Sequence, residues 1–208
     1  MLSTELSASA TLLKHRHIGA IAALVLISLL ISLSGSPIHH TIANSWEGFL
    51  WGMADPVMNL DCLVSVITIG LFSANICRGA FIAASFVFAA VFGTIIHLLQ
   101  LNLAGAEIAI AISVIAFGMM LVISKQLNWV LLAFLGATTG FFHGSAHGEL
   151  IIGAEIVPLV TYVLGATLTQ SVLVMSAREI NPILLSKIHF AGLAFCALGI
   201  VFLHNSIA

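Results

Sequence analysis

The chain has 208 residues, of which 61% are hydrophobic and only 7% charged, with a formal net charge of −2. Six Lys and Arg residues cannot cover a water-soluble fold, in which about a quarter of residues are charged, and they are too scattered to neutralise a run of phosphates. A soluble globular domain and a nucleic-acid partner are thereby excluded, and one domain embedded in lipid is the simplest arrangement.

A hydrocarbon core about 30 Å thick takes about 20 residues of helix to cross. Seven apolar runs of that order follow one another, at residues 18–34, 57–75, 79–101, 105–124, 127–147, 155–177 and 186–205. The expected fold is all-α, a polytopic membrane helix bundle of six core transmembrane helices plus an N-terminal helix or signal segment. Short polar breaks such as Asn75 to Arg78 and Lys125 to Gln126 make sequence neighbours antiparallel. The first run follows Lys14 and Arg16 and ends at Ser34-Gly35-Ser36, so it reads as an uncleaved helix or as a secretory signal. Residues 1–36 are therefore set apart from a single membrane domain over residues 37–208. Cys62, Cys77 and Cys196 lie in or beside apolar runs, a spacing that does not read as a disulfide framework.

Lys and Arg in short loops are retained on the cytoplasmic side. With the amino terminus inside, threading the seven runs puts Lys14, Arg16, Arg78, Lys125, Arg178 and Lys187 on the cytoplasmic face, which is every cation in the chain. The expected location is a bacterial-type inner (plasma) membrane or an internal membrane, multi-pass. The same threading assigns Glu47, Asp55, Asp61, Glu107, Glu149 and Glu155 to the outer side, together with His39, His40, His97, His143, His147 and His204. Six of eight acids and six of nine histidines thus share one half. Carboxylate and imidazole bind divalent transition metals, so a cation arriving from outside meets them first. Wet helix ends explain a share of them with no metal involved.

Two stretches concentrate the candidate ligands. Asp55-Pro56-Val57-Met58-Asn59-Leu60-Asp61-Cys62 opens the second run. Asp55 before Pro56 fits an N-cap followed by the first helical residue, whereas Asp61, about one turn into the expected helix, is an expensive group in lipid. Met58 and Cys62 add a thioether and a thiol to the same surface. Phe142-His143-Gly144-Ser145-Ala146-His147-Gly148-Glu149 closes the fifth run. His143 and His147 share one helix face and can address one ion, and Gly148 allows Glu149 to turn back toward it. The competing explanation is packing, because Gly136, Gly140, Gly144 and Gly148 repeat every turn as a small-residue stripe. Between these stretches, Glu107 begins the fourth run, and His97 near the end of the third has a bland role open to it in bonding a carbonyl or a lipid headgroup.

On the second stretch the chain resembles the HupE/UreJ family of hydrogenase and urease accessory membrane proteins, regarded as nickel or cobalt permeases. Phe142 to Glu149 resembles the family's His-Gly-x-Ala-His-Gly-x-Glu pattern, matching it from His143 to Gly148 with Glu149 one position ahead of the pattern's Glu, and the resemblance covers about residues 48–205. Glu107 before Ile108 to Leu121 resembles the family's Glu-led fourth segment. The other signature, His-Pro-x-x-Gly-x-Asp-His, falls on Asp55 to Cys62: Pro56 and Asp61 agree, while Asp55, Asn59 and Cys62 replace two histidines and the glycine.

The resemblance implies a transition-metal permease, not an enzyme, moving nickel or cobalt from the outer side to the cytoplasm. Its metal ligands would be His143, His147, Glu149, Asp61, Asp55, Cys62 and Glu107, with no organic cofactor. Met58 and Cys62 extend the candidate metals to copper or zinc. The partners implied are the metal ion, the lipid bilayer, and a membrane-complex partner or a second copy of the chain. Two alternatives remain: a metal-binding accessory or structural subunit of a larger membrane complex, and a membrane metalloenzyme, which needs an open coordination position and a substrate pocket.

Overall fold

The computed structural model describes residues 19–26, 30, 42, 44–74, 76, 78–98, 105–123, 128–147, 156–184 and 187–207. Residues 19–26 form a helical stretch, α1. Seven further helices follow: α2 (Ser45–Met58), α3 (Leu60–Ala74), α4 (Gly79–Leu98), α5 (Ala106–Ile123), α6 (Trp129–His147), α7 (Ile156–Leu184) and α8 (Ile188–Ile207). No strand occurs among the described residues. The helices α4 to α8 are each long and apolar enough to cross a bilayer, and α2 with α3 reaches that length only as a pair bent by 75°. The protein is a polytopic helical membrane bundle, as its composition requires.

The bent pair corrects the reading of residues 57–75 as one straight run. Asp55 is not an N-cap. It lies in the last turn of α2, whose N-cap is Asn44, with the Asn44 side chain accepting from Glu47 N at 2.9 Å. Pro56 removes one backbone donor from the ladder of α2, and at Asn59 the backbone turns extended, with φ −88° and ψ 112°. The helical ladder then restarts as α3, with Leu63 N donating to Asn59 O at 3.0 Å. Asp61 is consequently the second residue of α3 and half-buried, rather than a full turn inside a continuous helix.

α3 occupies the middle of the bundle. Every residue from Cys62 to Ser73 is buried, against α2, α4, α5, α7 and α8. A helix apolar on all sides has no face to offer water and is stable only in such a position. The outer helices turn large apolar side chains such as Phe88, Phe134 and Phe190 away from the bundle, a surface that suits lipid.

Glycine seams hold the outer helices together. A Cβ at Gly140 would collide with the Phe86 carbonyl oxygen, and one at Gly144 with that of Ala90. These contacts advance together along both chains, so α4 and α6 are parallel neighbours whose backbones approach as closely as glycine permits. Gly48 and Gly52 meet the carbonyls of Pro158 and Tyr162 in the same way, making α2 and α7 parallel, while Gly118 against Gly192 and Gly199 against Ile115 join α5 and α8 antiparallel.

With these directions, the starts of α2, α5 and α7 and the closes of α4, α6 and α8 share one end, which carries Glu47, His97, Glu107 and His204. Arg78, Arg178 and Lys187 lie toward the other. Arg78 forms the tight turn from α3 to α4 in a left-handed conformation, φ 65°, with its guanidinium 5.1 Å from the centroid of the Trp129 ring.

Candidate metal centre

Two groups of candidate ligands result, on different pairs of parallel helices. The first belongs to α4 and α6. His143 is completely buried, its ring 5.9 Å from that of Phe86 on α4. The two helices are tied at this level by Thr94, whose hydroxyl contacts the carbonyls of Ala90 at 3.1 Å and Gly144 at 3.2 Å. His147 is the last residue of α6. Glu149 lies outside the described residues, as do Gly148 and Glu155. His97, in the last turn of α4, is only 5% exposed, and its Nδ1 has no hydrogen-bond partner among the described residues.

The second group surrounds the break between α2 and α3. Asp55 is buried, and its two carboxylate oxygens are held separately: Oδ2 accepts from the Tyr162 hydroxyl at 2.5 Å and Oδ1 from Asn59 Nδ2 at 2.6 Å. The Asn59 backbone N–H also donates to Asp55 O at 3.1 Å. One carboxylate therefore closes the end of α2, stabilises the turn at Asn59 and joins both to α7. A little further along, Gln170 Nε2 lies 4.0 Å from Sγ of the fully buried Cys62.

Depth follows from helix rise. At 1.5 Å per residue, Tyr162 is about 9 Å and Gln170 about 21 Å along α7 from Ile156. The break is thus within the span, not at its rim. By the same measure His143 lies about 6 Å from the end of α6, so both groups are recessed from the same face of the bundle.

Among the described residues, no three His, Cys, Asp or Glu side chains converge as a group able to hold an ion. Asp55, Asp61 and Cys62 share the break, and His143 sits on the α4–α6 seam. Glu107 is exposed in the first turn of α5. Asn59, Tyr162 and Gln170 were not singled out by spacing. Two of them left a trace in the sequence: Tyr162 is the single tyrosine, and Gln170 is an amide within an apolar run, where polar side chains need partners on neighbouring helices.

A polytopic bundle with an imidazole, carboxylates and a thiol recessed between its helices is the class of protein these features define. Residues 17–202 match the model of the family described as HupE / UreJ protein, and the chain belongs to that family. The match begins just before the first apolar run, well ahead of residue 48. Comparisons with curated proteins and with solved structures give no match.

Proposed function

We propose that this protein is a permease that carries a divalent transition metal, nickel or cobalt, from the outer side of the membrane to the cytoplasm. The observation that carries the reading is His143, an imidazole completely buried in a membrane helix, within a His-Gly-x-Ala-His-Gly signature that is intact from His143 to Gly148 and followed at once by Glu149. Membership of the family over residues 17–202 supports it. In this reading His143, His147 and Glu149 receive the ion, and Asp61, Asp55 and Cys62 at the helix break lie further along its path, with Glu107 beside the entrance. Asp55 already accepts from Tyr162 and Asn59, so an ion there would draw on its remaining lone pairs or displace one of the two partners.

The test is uptake of ⁶³Ni²⁺ or ⁵⁷Co²⁺ by vesicles containing the protein, repeated with His143 and His147 both changed to Ala. Loss of uptake and of metal binding is expected, and unchanged binding in the double variant removes the centre of the proposal. Metal binding needs neutral imidazole. Uptake should therefore decline as pH falls through the ordinary imidazole pKa, about 6.5, and a flat profile from about pH 7.5 to about pH 5 contradicts it.

A metal-binding accessory subunit that holds its ion in place is the second reading. It is favoured by one observation, the two hydrogen bonds that already occupy the Asp55 carboxylate. Purification with a partner in fixed stoichiometry, together with metal that binds but does not cross, would select it.

A further inference from the structure

We propose that His97 is a further metal ligand, delivered by the α4–α6 seam to the ion that His147 receives. The inference deepens the metal-handling reading above and rests on it.

The register of the seam carries the first step. Ile82 meets Gly136, Phe86 meets Gly140 and Ala90 meets Gly144, an advance of one turn on each helix at every contact. Gly93 faces Phe141 and Ser145, and the Thr94 hydroxyl reaches the Gly144 carbonyl at 3.2 Å. His97 follows Gly93 by four residues and Thr94 by three, so it continues the face that α4 turns toward α6. His147 follows Gly144 by three and continues the corresponding face of α6. The two positions stand opposite one another at the end of a seam whose glycines bring the backbones into contact.

The second step is independent of the register. A histidine whose task is to bond water or a lipid headgroup has to be exposed, and His97 is 5% exposed. Its Nδ1 is buried with no hydrogen-bond partner among the described residues. Neutral imidazole presents one ring nitrogen as a lone-pair donor, and a metal ion is a partner that lone pair can take within apolar surroundings. The imidazoles of His97 and His143, both buried on this seam, would then add to the recessed donor set that receives the ion. Nitrogen-rich donor sets of this kind suit nickel, cobalt, copper and zinc over calcium or magnesium.

The experiment uses the purified full-length chain with Co²⁺ as the probe, read by equilibrium titration and by the visible absorption of bound cobalt. His97→Ala should weaken Co²⁺ binding by about tenfold or more and change the ligand-field bands. His97→Cys replaces one ligand by another. It should retain binding and add a thiolate-to-cobalt charge-transfer band stronger than any in the wild type, a signal that needs sulfur in contact with the metal. Binding of the Ala variant within about twofold of wild type, or a Cys variant without the new band, overturns the assignment. If His97 variants are silent while His143→Ala/His147→Ala abolishes binding, only the His97 assignment falls. If the wild type binds no Co²⁺, or the double variant binds it equally well, the metal-handling reading falls as well.

Discussion

The α4–α6 pair and the α2–α3–α7 group use the same packing device for different ends. Both are parallel neighbours whose glycines lie against the partner's carbonyls. On the first seam the helices run unbroken and the recessed polar groups include the imidazoles of His97 and His143. On the second, one partner breaks beside the seam, and the recessed carboxylate is occupied by Tyr162 and Asn59. Close packing alone therefore does not make a site. What matters is whether the backbone beside it is continuous, which presents side chains as a fixed array, or interrupted, which requires side chains to stabilise the interruption.

This contrast can be broken by substitution. The largest effect should come from Gly144→Val, which drives two methyl groups into the Ala90 carbonyl and should cost about 3 kcal/mol, at the upper end of overpacking. Thermal unfolding in detergent measures it, and wild-type stability in the variant would mean that the α4–α6 seam is not held as described. Asp55→Ala comes next. It strands the Tyr162 hydroxyl and the Asn59 amide and should cost about 2 kcal/mol, whereas Asp55→Asn, which still offers an oxygen, should recover most of that loss. If Ala and Asn are equally damaging, negative charge rather than hydrogen bonding holds the break. Tyr162→Phe is the mildest. Interhelical hydrogen bonds in membranes average below about 1 kcal/mol, so stability should change little. If the ion and Tyr162 compete for one carboxylate oxygen, however, Co²⁺ should bind more tightly to the Phe variant, and weaker binding would make Tyr162 a supporting group instead.

The difference between the two regions also explains what could be read from sequence. Hydropathy is local, so the runs at 79–101, 105–124, 127–147, 155–177 and 186–205 correspond to α4 through α8. The Gly136, Gly140, Gly144 repeat predicted close approach, and three carbonyl-facing contacts are found. α2 escaped because Trp46, Glu47, Trp51 and Asp55 interrupt its apolar character, leaving no run of membrane length. Pro56 then misled: beside Asp55 it suggests the start of a helix, yet here it precedes the end of one. The break at Asn59 carries no glycine. Its partner on α7, Tyr162, is 107 residues from Asp55 in the chain, a pairing that depends on tertiary packing and has no spacing rule.

A helix that ends inside a bilayer has an electrical consequence that no titratable residue is needed to produce. The aligned peptide dipoles of α2 leave about half a negative charge at its C-terminal end. The bend of 75° places this fixed charge beside Asp55, facing the start of α3. Unlike a carboxylate it cannot be neutralised by a proton, and in surroundings without bulk water it is only weakly screened. Discontinuous helices in membrane proteins attract cations through such carbonyl-lined ends. The break between Met58 and Leu60 therefore sets the negative end of α2 beside the positive start of α3, a fixed pair of opposite poles in the middle of the bundle that persists even when every side chain around it is neutral.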